Sequence, residues 1–214
     1  DSKKVYYSGI YATKTDDGNQ LNWKLVGHLP EPLAYGVTVT CDNSMIVVGG
    51  MNNDGSYGKV YRVTLVDGKA EVSTLPSMPC SVDNMAGALV GRHLYIAGGA
   101  MDGKASNRVL CLDLDNISAG WKDIKPFPGM VRMQPVAGSM GDNRFCLFGG
   151  FAPAANGEEA KLAMDGCVYD EATDEWELVE GPKDDQGEPL FVGGGTGINL
   201  TKDQLLVRSE ERRV

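Results

Sequence analysis

The chain has 214 residues with 29 acidic and 20 basic side chains, so its formal net charge is −9. Nucleic acids and anionic membrane surfaces attract basic patches, and this acidic balance argues against both as partners. Hydrophobic residues make up 42% of the chain, as in typical globular proteins. No apolar run approaches the roughly 20 residues that a membrane helix needs. We therefore predict no nucleic-acid binding and no membrane insertion.

Three Gly-Gly doublets recur along the chain, and each ends a short apolar run. Their first residues are Gly49, Gly98 and Gly149, which places them 49 and 51 residues apart. A period of about 50 residues, with a strand ending in paired glycines, is typical of the kelch repeat of β-propellers. Because such repeats share one continuous core, the sequence predicts an all-β fold, a kelch-type β-propeller, in a single domain.

In chain order, the repeat predicts a propeller domain over residues 1–207. A partial blade over 1–30 comes first, blades over about 31–79, 80–129 and 130–182 follow, and a partial blade over 183–207 ends the domain. Each full blade has strands a to d, and strand b ends in the doublet. These strands make about four blades. Either the partial blades pair to close a small ring, or, as we favour, the chain is part of a larger ring.

The end of the chain is predicted to depart from the repeat. Gly36 precedes its doublet by 13 residues, and the same spacing from Gly195 predicts a doublet at 208, where the chain has Arg208 and Ser209. We interpret the tail over 208–214 as the result of a truncation or a reading-frame slip, and Asp1 as a processed or truncated start. In that case self-association or a second chain would complete the ring.

Several residues that attract attention are expected to be structural. Trp23, Trp121 and Trp176 recur near the start of strand d, which predicts packing between blades. His28 and His93 lie at strand ends of the repeat. The five cysteines show no CxxC spacing, so they predict core thiols rather than a metal or redox site.

The repeat also predicts where chemistry lies. In a propeller blade the d–a connections and the b–c loops emerge on one face around the central channel. The loop over 151–165 is about twice as long as its equivalents over 51–58 and 100–107. Long loops on a rigid scaffold are often functional, so this loop is the first candidate.

This loop contains Asn156-Gly-Glu-Glu-Ala-Lys, which is followed later by Gly193-Gly-Gly-Thr-Gly-Ile-Asn and Asp203-Gln-Leu-Leu-Val. Together these segments resemble the sialic acid (N-acetylneuraminate) mutarotases. Tyr35-Gly and Val48-Gly-Gly-Met are similar to the cyclically permuted branch of that family. The resemblance covers most of the chain, although its kelch part is generic. It implies a six-bladed propeller, exported to the periplasm, that interconverts the anomers of a small sugar acid without a cofactor.

The resemblance also assigns site residues. The family's proposed acid/base glutamate corresponds to Glu158, with Glu159 as the adjacent alternative. The family's arginine does not carry over, because Met164 stands in its place. Lys161 or Arg132 would then supply the positive charge.

These roles agree with the chemistry. Anomer exchange opens a cyclic hemiketal and closes it on the other carbonyl face, so it needs a base, a second proton carrier and no metal. A cation must hold the sugar carboxylate, ideally a bidentate arginine. We expect Glu158 as the base, Arg132 as the carboxylate clamp, and Asp83, Asn84 and Gln134 as hydroxyl binders. Asp83 and Asn84 have a structural alternative, since Asx residues also cap turns.

Two other functions remain open from the sequence. A non-catalytic kelch module would bind a protein or glycan through the same face. A copper-radical sugar oxidase is disfavoured, because it needs tyrosine and histidine ligands and the chain has only two histidines.

Overall fold

Antiparallel four-stranded sheets follow one another along the chain in the computed structural model, which describes residues 4–15, 21–155, 157–202 and 204–209. In each of the three such sheets among these residues, the strands pair in chain order, a to d. The first blade comprises Val37–Cys41, Ser44–Val48, Val60–Val66 and Lys69–Leu75; the second Ala86–Val90, His93–Ala97, Val109–Asp113 and Trp121–Ile124; the third Val136–Met140, Arg144–Phe148, Asp165–Asp170 and Glu175–Glu180.

A two-stranded sheet lies at each end of the described chain. Gly9–Ala12 pairs with Lys24–His28, and Thr196–Thr201 pairs with Gln204–Arg208. Strands a of neighbouring blades contact one another, which confirms the all-β propeller arrangement.

Short strands and one helical turn complete the secondary structure of the described residues. The short strands are Met51–Asn52, Gly55–Ser56, Val82–Asp83, Ala100–Met101, Lys104–Ala105, Phe151–Ala152 and Lys161–Leu162, and Ile117–Ala119 forms a 3-10 turn. No helix among the described residues is long and apolar enough to cross a bilayer.

The Gly-Gly doublets lie where two backbone segments approach closely. Gly49 has φ +57°, and a Cβ there would lie 2.7 Å from the carbonyl oxygen of Val82 in the next blade. A Cβ on Gly50 would lie 2.7 Å from the carbonyl oxygen of Ala34 in the same blade. The Gly50 N–H also donates to Val82 O at 2.8 Å. Each doublet therefore joins one blade to the next, and larger residues would obstruct both contacts.

The core lies between the faces of adjacent blades. In strand b of the second blade, Leu94 and Ile96 pack into the cluster shared with the first blade. Tyr95 and Ala97 pack into the cluster shared with the third blade. Alternate residues of a strand point to opposite faces, so this one strand contributes to two interfaces.

Two of the three tryptophans join neighbouring blades. Trp121 Nε1 donates to Pro76 O at 2.8 Å, and Trp176 Nε1 donates to Lys125 O at 2.7 Å. The prediction of packing between blades is confirmed for these two residues. Trp23 precedes the second strand of the first sheet and is 62% exposed.

The last strand runs one residue further than predicted. Arg208 pairs with Thr196, as Val48 pairs with Val37, so Ser209 occupies the position of the first doublet glycine. The predicted position 208 was one residue early, because a register shift between Asn199 and Thr201 lengthens the hairpin. Asn156 and Asp203 of the family motifs and residues 210–214 of the predicted tail lie outside the described residues.

All five cysteines are buried and free. Burial raises the pKa of the Cys111 and Cys167 thiols to about 12 and that of Cys146 to about 11. These thiols are therefore protonated at neutral pH and behave as core groups.

Candidate functional site

The d–a connections and the b–c loops lie against each other in all three blades. Ala34 bridges Met51 in the first blade, and Met133 bridges Phe151 in the third. In the second blade the strand Val82–Asp83 pairs with Ala100–Met101. The two kinds of connection therefore share a face, as the repeat predicted.

A chain of backbone hydrogen bonds crosses this face from blade to blade. The Asn84 N–H donates to Tyr35 O at 2.9 Å, Gln134 N–H to Asn84 O at 2.7 Å, and Gly194 N–H to Gln134 O at 2.9 Å. Tyr35, Asn84 and Gln134 have φ of +59°, +52° and +51°. Non-glycine residues rarely adopt this left-handed conformation, and such strain is concentrated at functional sites.

Side chains connect the same positions. Gln134 Nε2 donates to Asn84 Oδ1 at 2.9 Å, and Asn84 Nδ2 donates to Asp83 Oδ1 at 2.6 Å. The Ser56 hydroxyl donates to the other carboxylate oxygen of Asp83. We call Ser56, Asp83, Asn84 and Gln134 the polar cluster.

The polar cluster joins the first, second and third blades, and Asp83 is its buried member. Three of its residues were predicted from the sequence. Ser56 was missed, because a serine in a short loop carries no signal until the fold places it beside Asp83.

Arg132 lies behind this face rather than on it. It stands two residues before the left-handed Gln134, where the other connections have Leu33, Val82 and Val192. Val82 and Val192 are buried core residues, and the Arg132 side chain occupies the equivalent core position with no exposed surface. A charge in such a position needs close partners, because desolvation is costly.

Those partners are Gly149 and Asp165. Arg132 Nη1 donates to Gly149 O and to Asp165 O, both at 3.2 Å, and Nη2 donates to Asp165 Oδ1 at 2.9 Å. Its Nε is buried without a partner among the described residues. This placement differs from the expected carboxylate clamp, because burial keeps the guanidinium away from a ligand on the channel face.

Asp165 was missed in the sequence, although a signal was present. The residue whose carbonyl oxygen accepts from the first doublet glycine, at the far end of the b–c loop, is basic in the other two blades, Lys59 and Arg108, and acidic here. That reversal of charge indicates a partner of opposite sign in the third blade only.

Glu158 lies at the exposed end of the long loop. Its side chain is 70% exposed, and Oε2 forms an ion pair with Lys161 Nζ at 2.7 Å. The hydrogen bond and the charge of Lys161 lower the pKa of Glu158 below its ordinary value. The carboxylate is therefore ionised at neutral pH, as a general base must be. Glu159 is exposed beside it.

Apart from the buried Arg132, the structure separates the predicted residues into two groups. Glu158, Glu159 and Lys161 lie on the loop, while Asp83, Asn84 and Gln134 form the polar cluster, and no hydrogen bond among the described residues joins the groups. Met164, at the position of the family's arginine, is partly exposed and carries no charge. No group of three or more His, Cys, Asp or Glu residues in the described part of the chain is arranged to hold a metal ion.

The fold and the repeated blade contacts define a kelch-type β-propeller. The family model of N-acetylneuraminate epimerase matches residues 75–202. The chain therefore belongs to the N-acetylneuraminate epimerase family.

Individual relatives agree with this family. The N-acetylneuraminate epimerase of Haemophilus influenzae (strain PittEE) is 29% identical over 140 residues, which cover 61% of this chain and 36% of the relative. A kelch domain-containing protein of Vibrio cholerae is 31% identical over 106 residues, which cover 50% of this chain and 28% of the relative. The chain thus spans about a third of the length of the curated relatives it matches.

A solved structure supports the fold. The structure of YjhT superposes with a TM-score of 0.64 at 13% identity, covering 90% of this chain and 69% of that one. At this low identity the likeness concerns the fold alone.

Proposed function

We propose that the protein binds a sugar acid on the face that carries the polar cluster and interconverts the sugar's anomers. The observation that carries the proposal is the hydrogen-bonded series from Ser56 to Gln134, which lies on the face that also carries the Glu158 loop. Membership in the N-acetylneuraminate epimerase family supports N-acetylneuraminate or a related sugar acid as the substrate.

The proposed reaction is acid/base chemistry and uses neither a metal nor an organic cofactor. Glu158 removes the proton of the anomeric hydroxyl, the bond from the anomeric carbon to the ring oxygen breaks, and water delivers a proton to that oxygen. The open keto form then rotates and closes on its other face by the reverse steps. The lowered pKa of Glu158 keeps its carboxylate ionised at neutral pH, which is the state that accepts a proton.

The remaining groups would bind the sugar. Asn84 and Gln134 present amides, and Ser56 presents a hydroxyl, which are suitable partners for sugar hydroxyls. With Arg132 buried, Lys161 is the proposed cation for the sugar carboxylate. Asp83 holds Ser56 and Asn84 in place and is the proposed centre of the binding cluster.

The direct test uses freshly dissolved crystalline N-acetylneuraminate, whose anomers equilibrate slowly enough to follow by proton NMR. The wild-type protein should accelerate equilibration, and Glu158→Gln should abolish the acceleration. Glu71→Gln, an exposed glutamate on the outer strand of the first blade, is the matched control and should keep it. Loss with Glu159→Gln instead would transfer the role of base to Glu159, and full activity of both variants would refute this loop as the source of the base.

The second candidate function is a non-catalytic kelch module that binds a glycan or protein through this face. The burial of Arg132 favours it, because Arg132 then does not provide the bidentate carboxylate clamp that the chemistry predicts. Saturable binding of the sugar acid by the wild-type protein without faster anomer exchange would establish this function and exclude catalysis.

We also propose that the protein acts outside the cytoplasm and that a second chain or a second copy contributes to the ring. Cell fractionation with the product of the full gene tests the first proposal, and sedimentation tests the second. A product confined to the cytoplasm would contradict the export proposal, and a strictly monomeric protein would contradict the assembly proposal.

A further inference from the structure

Arg132 is bonded to both ends of the loop that carries Glu158. Gly149 directly follows strand b of the third blade, and Asp165 begins strand c. Arg132 Nη1 donates to the carbonyl oxygens of both residues at 3.2 Å, and Nη2 reaches the Asp165 carboxylate at 2.9 Å. One guanidinium therefore closes the base of the 151–165 loop.

The other two blades close their loops without such a group. In each blade the first doublet glycine donates its N–H to the residue at the far end of the loop: Gly49 to Lys59 O at 2.9 Å, Gly98 to Arg108 O at 3.2 Å and Gly149 to Asp165 O at 3.0 Å. Only the third blade has an arginine at the position that Val82 occupies in the second blade. This blade also has the longest b–c loop, whose ordering costs the most conformational entropy.

A ladder of contacts runs from this base toward Glu158. Ala163 N–H donates to Gly150 O at 2.8 Å, and Phe151–Ala152 pairs with Lys161–Leu162. Further out, Ala155 and Glu158 exchange backbone hydrogen bonds of 2.9 and 3.2 Å. Lys161, within the ladder, forms the ion pair with Glu158. Displacement at the base would therefore be transmitted to the carboxylate.

Packing holds the guanidinium itself in place. Its Cζ lies 5.8 Å from the centre of the Phe127 ring, which is fully buried. Its Nε has no partner among the described residues, and a buried donor without an acceptor is unfavourable. A valine, as at the equivalent position 82 of the second blade, would avoid that cost. The presence of an arginine here therefore indicates a role beyond core packing.

We propose that Arg132 is a positioning residue that orders the 151–165 loop and thereby fixes Glu158 for anomer exchange. The catalytic part of this inference rests on the proposed function. Arg132 acts through Gly149 and Asp165 and does not touch the substrate.

The test compares Arg132→Met with the wild type in two measurements. Methionine is unbranched, similar in length and suited to a core position, so the blade is expected to fold. Amide hydrogen exchange should rise about tenfold or more in residues 151–165 and stay unchanged in strand b of the second blade. In the NMR assay kcat should fall on the order of 100-fold, because the base is misplaced. KM should rise as well, because Lys161 lies on the same loop, while the polar cluster still binds the sugar hydroxyls.

Two further variants make the result specific. Arg132→Lys keeps the charge but offers one ammonium in place of the forked guanidinium. Its loop exchange and its kcat should therefore lie between those of the wild type and those of Arg132→Met. Arg108→Met removes an arginine that pairs with Asp123 in the second blade and should leave the exchange of the 151–165 loop unchanged.

The outcomes separate this inference from the function on which it rests. Unchanged loop exchange in Arg132→Met would overturn it, and so would faster loop exchange with unaltered kcat. If Arg132→Met fails to fold, Arg132→Lys decides by the same two measurements. A wild-type protein without anomer exchange would refute the proposed function and the catalytic part of this inference, while the exchange rates would still decide whether Arg132 orders the loop.

Discussion

Gln134 contacts Asn84 twice across the junction of the second and third blades. Its backbone N–H donates to Asn84 O at 2.7 Å, and its side-chain Nε2 donates to Asn84 Oδ1 at 2.9 Å. Both residues are left-handed, with φ of +51° and +52°. The backbone contact joins the blades, and the side-chain contact orients the amides that we propose as sugar ligands.

The two contacts can be separated by substitution. Asn84→Gly keeps the left-handed backbone and removes the amide, so it should weaken sugar binding and lose the stability contributed by the hydrogen bonds to Asp83 and Gln134. Asn84→Ala removes the same amide and adds about 1–2 kcal/mol of backbone strain. Sugar titration and urea unfolding should therefore give equal affinities for the two variants and a lower stability for the alanine. An affinity equal to that of the wild type in Asn84→Gly would exclude Asn84 from the binding site.

The doublet glycines should be intolerant of a methyl group. Gly99 has φ +76°, and a Cβ there would lie 2.3 Å from Asp83 O, whereas Gly103, at φ +77°, has open space. Gly103→Ala should cost about 1–2 kcal/mol from strain alone. Gly99→Ala should cost about 1–3 kcal/mol more, because backbone must move. Urea unfolding measures the stability of both variants. Equal losses of stability would show that the close approach of Asp83 O to Gly99 adds nothing to the cost of the methyl group.

The tryptophan contacts predict unequal effects of one substitution. Trp176→Phe removes the Nε1 donor to Lys125 O at the junction of two blades and should lower the free energy of unfolding by about 1–2 kcal/mol. Trp23→Phe changes an exposed ring and should stay within about 0.5 kcal/mol of the wild type. Chemical denaturation compares the two variants, and a larger loss for Trp23→Phe would contradict the blade contact described here.

The Glu158–Lys161 pair predicts the acidic limb of the pH profile. A base must be deprotonated, and Lys161 lowers the pKa of Glu158, so kcat/KM should decline only when the pH falls below the ordinary glutamate range. Lys161→Met removes the cause of the shift and should move this limb to higher pH. The NMR assay across the acidic range measures it, and an unmoved limb would assign the titration to another group.

The thiols should be unreactive until the protein unfolds. All five cysteines are buried, and burial raises the pKa of Cys111, Cys146 and Cys167. Ellman's reagent at mildly alkaline pH should therefore label the native protein slowly and all five thiols promptly in guanidinium. Prompt labelling of the native protein would show that a blade opens on the timescale of the reaction.

The blade pattern could be predicted because each doublet combines an apolar strand with two glycines whose positive φ and close backbone contacts disfavour other residue types. The loops on the functional face followed from the same register. The fourth doublet was predicted one residue too early in the sequence. A register shift between Asn199 and Thr201 lengthens this hairpin, and a fixed spacing does not take such a shift into account.

The environment of the site residues was harder to predict. An arginine in a polar connection indicates exposure, and Arg132 is buried because its partners, Gly149 and Asp165, are brought to it only by the fold. The equivalent positions in the neighbouring repeats hold Val82 and Val192, and these apolar residues indicate that position 132 belongs to the core. The pairing of Glu158 with Lys161 was open to prediction from their spacing, whereas the place of Ser56 beside Asp83 required the fold.

The backbone series from Tyr35 through Asn84 and Gln134 to Gly194 has a consequence for the evolution of the ring. Each of these three junctions uses a backbone N–H of the later blade as donor and a carbonyl oxygen of the earlier blade as acceptor. This backbone contact therefore contains no information about its place in the ring, and a blade gained by duplication would find it already present on both neighbours. Chemistry can then specialise in one blade, as in the third with its long loop and its buried arginine, while the others continue to supply the frame.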